Sequence, residues 1–269
     1  MYFSGYKGKV VLHWHSDILK QKHLLKLYQP FQKWLLQRAD IIVGTTPTYV
    51  KESKYLADVQ HKITSFPIGV VDAGLPAGEN HIKTRYQGKK IIFSLGRLVE
   101  YKGYEYLIDA AQYLSDDYVV LIGGTGPLRK KLQTQIESLG LSDKVQLLGF
   151  IKDEELPLYY DACSLFVLSS VLKTEAFGIV QIEAMSYSRP VIATTIPGSG
   201  THWVNAHKES GLNVEPRNAQ ELAQAVIEIT EDKQTYEAYC KGARQRYEQL
   251  FTFDKMIDNC LEIYENVMK

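Results

Sequence analysis

The stretch KKIIFSLGRLVEYKGYEYLIDAAQYLSDDYVVLIG, residues 89–123, decides the fold. It opens on an apolar run, KKIIFSL, and passes through a loop that holds Gly96 and Gly103. It then continues as the amphipathic helical run KGYEYLIDAAQYL and closes on a second apolar run, DYVVLIG. Short apolar runs without polar alternation fit strands covered on both faces, and the helical run between them completes a strand–helix–strand unit of a parallel sheet. The alternation extends both ways. KVVLHW, ADIIVGT and HKITSF precede it, and KVQLLGF, CSLFVLS, PVIATT and SGLNV come after it. The helical stretches LRKKLQTQIESLG, GIVQIEAMSYS and NAQELAQAVIEITED lie between the later strands. The fold class is α/β, with parallel sheets covered by helices.

One segment breaks the pattern. PIGVVDAGLPAGENHIKTRYQGKK carries Gly, Pro and charge without periodicity, and its residues 73–89 are expected to form a linker. The chain then divides into a partial domain over 1–72, a complete one over 90–250, and a closing helix over 251–269 expected to return to the first domain. Two or three strands with two helices make a poor independent core. Residues 1–72 therefore read as the back of a domain whose front is absent.

The bulk numbers narrow the class. Of 269 residues, 45% are hydrophobic and 23% charged, as in a globular chain. Lys+Arg and Asp+Glu are both 31, so the broad basic field of a nucleic-acid binder is missing and no nucleic-acid partner is expected. Cys163, Cys240 and Cys260 have no metal-binding spacing and read as buried thiols of a reducing compartment. No apolar run reaches the ~18–20 residues of a membrane span, and the expected location is the cytoplasm. The stretch LKQKHLLKLYQPFQKWLLQR mixes Lys20, Lys22, Lys26, Lys33 and Arg38 with Leu27, Phe31, Trp34 and Leu35. Pro30 is expected in the first turn of a second helix. Such basic–aromatic helices can lie on anionic membranes, while a solvated face with its apolar side in the core is the plainer reading.

The chemistry concentrates in TEAFGIVQIEAM. Glu175 stands before a helix expected to begin near Phe177 or Gly178, and Glu183 lies inside it. Free N–H groups at such a helix start form an anion site, which Gly178 would leave approachable. Two carboxylates there can accept bonds from hydroxyls while the N–H groups take a phosphate, so a ligand that is part sugar and part phosphate fits. A helix with a favourable acidic first turn is the bland alternative. Arg97 and Lys102, on a loop expected at the carboxyl edge of the sheet, can neutralise a diphosphate. The Gly123, Gly124 and Gly126 turn lacks both the third glycine of a dinucleotide fingerprint and the GK[ST] of a phosphate loop, so alone it is more often a tight turn. In VLHWHSD, His13, His15 and Asp17 share a strand face, open to a zinc, sugar-binding or structural reading.

SLGRLVEYKG, GGTGP, LLGFI, TEAFGIVQIEAM and SRPVIATTIPGSGTHWVNAHKESGLNV occur in the order and spacing of the retaining glycosyltransferases of family 4. The resemblance covers nearly the whole chain. It implies the GT-B fold, two Rossmann-like domains facing a cleft, and transfer of a sugar from a nucleotide diphosphate donor with retained configuration. HWHSDI and the IPGSG…WVN…SGL run further resemble bacterial mannosyl- and related transferases that build surface polysaccharides, so a saccharide or lipid-linked acceptor and peripheral contact with the inner membrane face are implied. Arg97 and Lys102 would hold the diphosphate, Glu175 the hydroxyls of the transferred sugar, and Glu183 the ribose. Gly96, Gly124, Ala176, Phe177 and Gly178 would line the donor, and Phe150 and Ile151 would flank the base. His15 would face the donor sugar, with Asp17 orienting an imidazole or capping the segment after it. A zinc site would need further ligands, and the other histidines offer no such pattern. No metal and no cofactor are implied, since Arg97 and Lys102 can supply the positive charge. The missing front puts turnover in doubt more than donor binding. A non-catalytic nucleotide-sugar-binding module and a nucleotide-sugar epimerase stand as the alternatives.

Overall fold

The structure is a computed structural model that describes residues 4–18 and 22–269. The small sheet is built first, from β1 (Val11–Trp14), α1 (Lys22–Arg38), β2 (Ile41–Gly44), α2 (Pro47–Glu52) and β3 (Ile63–Ser65). After α3 (His81–Arg85), the large sheet begins. Its first half is β4 (Lys90–Leu95), α4 (Tyr104–Ala110), β5 (Tyr118–Gly123), α5 (Arg129–Ser138) and β6 (Val145–Gly149). Its second half is α6 (Leu156–Ala162), β7 (Leu165–Leu168), α7 (Ile179–Ser186), β8 (Val191–Thr194), α8 (Thr201–Val204) and β9 (Gly211–Val214). The chain ends with α9 (Ala219–Thr230), α10 (Lys233–Arg246) and α11 (Phe253–Met268). Each apolar run expected to be a strand holds one.

All pairings within the two sheets are parallel. The small sheet has the order β1-β2-β3, and the large one β6-β5-β4-β7-β8-β9. The large sheet is thus doubly wound, with its order reversing between β4 and β7, where the crevice at the carboxyl ends takes ligands. Alternation along the strands separates two cores. Ile92, Val120, Ile122 and Val167 face α4, α5 and α9, while Ile91, Phe93, Val119, Leu121 and Phe166 face α6 and α7. Every residue of β5 is buried, which explains why YVVLIG shows no polar alternation.

Two expectations need correction. The expected linker contains α3, capped by Asn80, whose side chain accepts from the Ile82 and Lys83 amides. Its Ile82 joins the core beside β4, in a helix too short for periodicity to reveal. Helix α1 also runs through Pro30 without a second start. Pro30 is exposed, so water can satisfy the carbonyl that its missing N–H leaves unpaired. Lys20 lies outside the described residues, as do the side chains of Lys22, His23 and Lys26.

The chain passes between the sheets twice, side by side. Val70 and Thr252 form a parallel bridge, with the Val70 amide donating to the Phe251 carbonyl at 2.9 Å and the Phe253 amide to the Val70 carbonyl at 3.1 Å. Gly69 allows this approach, since a Cβ there would lie 2.4 Å from the Thr252 carbonyl oxygen. Beyond the crossing, α11 reaches the small sheet: Tyr264 Oη lies 3.4 Å from His13 Nε2, and the Gly69 amide donates to Met256 Sδ at 3.2 Å.

Candidate active site

The carboxyl ends of β4 and β7 carry the centre of the site. A β4 that ends at Leu95 sends the chain over the sheet edge, and Gly96, at φ +155, makes the turn. Arg97 comes next, exposed, its guanidinium making no hydrogen bond or ion pair with another described residue. Lys102 is different. It is 9% exposed and lies 2.5 Å from Glu175 Oε2, itself on a residue 8% exposed. Ser170 Oγ donates to the same oxygen at 2.9 Å. Both contacts fall on Oε2, so Oε1 has no partner among the described residues. A desolvated pair of this kind is a neutral unit that can still offer a carboxylate oxygen to a hydroxyl.

The glycine turn after β5 supports this loop from behind. Gly124 has φ +127, and a Cβ on it would lie 1.9 Å from the Gly96 carbonyl oxygen. The Leu98 amide donates to the Thr125 carbonyl at 2.9 Å, and the Gly96 amide to that of Gly123 at 3.0 Å. Gly124 therefore acts by packing backbone on backbone.

The turn before α7 brings Glu175, Ala176, Phe177 and Gly178 together at the same edge. Gly178 caps the helix at φ +77, and a Cβ there would meet Leu168 Cδ2 and Gln181 Nε2 at 2.7 Å, so packing within the chain already requires a glycine at this position. Phe177 is buried in the core. Residues 199 and 200 hold the turn: Ser199 Oγ donates to the Glu175 carbonyl at 2.5 Å and the Gly200 amide to the Ala176 carbonyl at 2.8 Å. Glu183, one helical turn deeper, is half-buried and receives the Tyr160 hydroxyl on Oε2 at 2.5 Å. Burial holds its carboxyl above the ordinary carboxylate range, against the pull of the Tyr160 bond, and the Asp153 charge adds to the rise. Phe150, after β6, is 74% exposed and free to flank a planar ligand, whereas Ile151 is 6% exposed with its side chain turned into the core.

On the small sheet, His15 is exposed and stacks on His13 with ring centroids 6.2 Å apart. Both line a cavity of about 220 Å³ with Gly44, Phe66, Met256 and Cys260. Burial, and then the neighbouring His15, lower the His13 pKa. Among the described residues no three or more His, Cys, Asp and Glu side chains gather as metal ligands. Asp17 does not orient an imidazole. Its carboxylate receives Trp14 Nε1 at 3.0 Å and Ser53 Oγ at 2.7 Å, and pairs with Lys173 Nζ at 3.1 Å. His15 stands two residues before Asp17, and Glu175 two after Lys173. This pair ties the segment bearing the histidine to the loop bearing the glutamate. Ser170, Lys173, Ser199, Tyr160 and the role of Asp17 as a Lys173 partner have no signal in the sequence that names them. Only the PGSG run, part of the family resemblance, marks one of them.

Two parallel α/β sheets, with a cation and carboxylates on the carboxyl edge of the larger, define a protein of the GT-B fold. The likeness to solved structures is close in shape: UDP-bound Alr3699/HepE of Anabaena superposes with a TM-score of 0.85 at 22% identity, over 96% of this chain and 72% of that one. Residues 79–246 match the family described as glycosyl transferases group 1, and the chain belongs to that family. O-antigen chain mannosyltransferase C of Escherichia coli is 34% identical over 97% of this chain and 70% of its own length. D-rhamnosyltransferase WbpZ of Pseudomonas aeruginosa is 34% identical over 93% of this chain and 66% of its own.

Proposed function

We propose that this protein transfers a hexose from a nucleotide diphosphate sugar to a saccharide or lipid-linked acceptor, with retained configuration, in the building of a surface polysaccharide. The observation that carries the proposal is the exposed Arg97 on the same loop after β4 as Lys102, which pairs with the buried Glu175. Arg97 and Lys102 take the diphosphate and stabilise the charge that grows as the bond from sugar C1 to the β-phosphate oxygen breaks. Glu175 Oε1 accepts from hydroxyls of the sugar, Glu183 from the ribose, and Phe150 flanks the base. The new C1–oxygen bond forms to an acceptor hydroxyl whose proton passes to the leaving phosphate on the same face, so no side-chain nucleophile is used. His15 contacts the donor sugar from the small sheet. The mannosyl and rhamnosyl transfer named for the two bacterial relatives and the UDP held by the Anabaena protein support this reading.

Work at the cytoplasmic face of a membrane belongs to the same proposal. Leu27, Tyr28 and Phe31 of α1 are 76%, 44% and 43% exposed near Lys33. Among the described residues no helix is long and apolar enough to span a membrane.

Calorimetric titration with UDP, GDP and dTDP tests the donor site. One nucleotide should bind, about tenfold more weakly to both Arg97→Ala and Glu183→Ala, as loss of a charge-assisted bond of ~1.5 kcal/mol or more requires. A folded chain that binds none of them sinks the proposal. Proton NMR of the product's anomeric signal tests retention, and an inverted linkage would remove that part alone.

A further inference from the structure

Tyr160, on α6, has a hydroxyl that the proposed chemistry does not use. It is 3% exposed, stacked on Tyr187 at 5.7 Å, edge-on to Phe93 at 5.3 Å and tilted against Phe166 at 6.0 Å. Its backbone is fixed as well. Arg189 Nε donates to the Tyr160 carbonyl at 3.0 Å and Arg189 Nη2 to the Asp161 carbonyl at 2.8 Å. The Asp161 carboxylate in turn receives Asn80 Nδ2 at 2.9 Å and Lys83 Nζ, two residues that tie α3 to this helix. A ring held on all sides places its hydroxyl at one point, and that hydroxyl donates to Glu183 Oε2.

We propose that Tyr160 is a positioning residue for nucleotide binding: it pins one oxygen of Glu183 so that Oε1 is presented, already oriented, to the ribose hydroxyls of a nucleoside diphosphate. The inference rests on the reading of Glu183 as the ribose-binding carboxylate. A glutamate side chain otherwise loses rotamer freedom on binding, and a preset one does not. The phenol bond also favours the ionised, accepting form of Glu183, against its burial and the Asp153 charge.

The test compares UDP with 2′-deoxy-UDP and GDP with 2′-deoxy-GDP by calorimetry, on the parent chain, Tyr160→Phe, Glu183→Gln and the double variant. The parent should prefer the ribonucleotide about tenfold or more, the usual worth of a hydrogen bond to a charged group. Tyr160→Phe should cut that preference about threefold or more, leave the deoxynucleotide affinity nearly unchanged, and add nothing in the Glu183→Gln background, as expected of two groups acting as a unit. Full preference retained in Tyr160→Phe overturns the inference. So does weakening of both nucleotides alike in both backgrounds, the mark of a structural role. A parent chain without ribose preference, or a Glu183→Gln chain that keeps it, removes the reading of Glu183 itself and is a separate failure.

Discussion

Arg97 and Lys102 look like equivalent cations in the sequence, and burial makes them different experiments. Arg97 is exposed and has no hydrogen bond or ion pair with another described residue, so Arg97→Ala should leave thermal stability within about 0.5 kcal/mol while weakening nucleotide binding. Lys102→Met strands the buried Glu175 charge and should cost about 3–5 kcal/mol of stability, read as a large fall in melting temperature. Equal effects of the two on stability would contradict the buried pair. Glu183 adds a pH dependence. Its folded-state pKa is raised, so the folded chain binds that proton more tightly than the unfolded one, and the stability it contributes is lost as pH rises through the raised value. The proposed acceptance of ribose hydroxyls by Glu183 needs its ionised form, so on that proposal nucleotide affinity should strengthen as pH rises through the same window. Calorimetry from pH 5 to 8 checks this, with Glu183→Gln separating the carboxyl from the titration of the diphosphate.

Among the elements, the turn after β5 offers the sharpest test. Gly124→Ala places a methyl against the Gly96 carbonyl in a left-handed conformation and should destabilise the chain by about 2–4 kcal/mol. Denaturant melts measure it, and a near-neutral result would mean that the turn does not bear on the Arg97 loop. The strands were legible because parallel strands buried on both faces are near-continuous apolar runs, as YVVLIG shows. Helix α3 was not, since five residues give no period to count, and Pro30 misled because the rule against interior proline weakens on an exposed face. Glu175 and Glu183 could be found by their spacing. Ser170 and Tyr160, which fix how those carboxylates point, carry no local signal of it.

The whole molecule is held by contacts between residues far apart in the chain. Asp17 has a side chain only 3% exposed, so Lys173→Met should strand its charge and cost about 3–5 kcal/mol, while Asp17→Asn with Lys173→Met should cost less than the two single changes summed. Chemical denaturation of the four chains gives the coupling, and additive losses would show that the two groups are independent. No single sequence could reveal this pair, because nothing near Asp17 names a partner so distant in the chain. The double crossing at Val70 and Thr252 has a further consequence, one of timing. Because α11 comes after every strand of the large sheet in the chain, the face of the small sheet beside His13, made before that sheet, gains its contacts with α11 only after the large sheet has emerged from the ribosome. Chains halted with Thr252 just outside the ribosome should therefore be cut by protease within the small sheet faster than chains halted with Met268 outside it. Equal cutting would mean that the early sheet shelters itself.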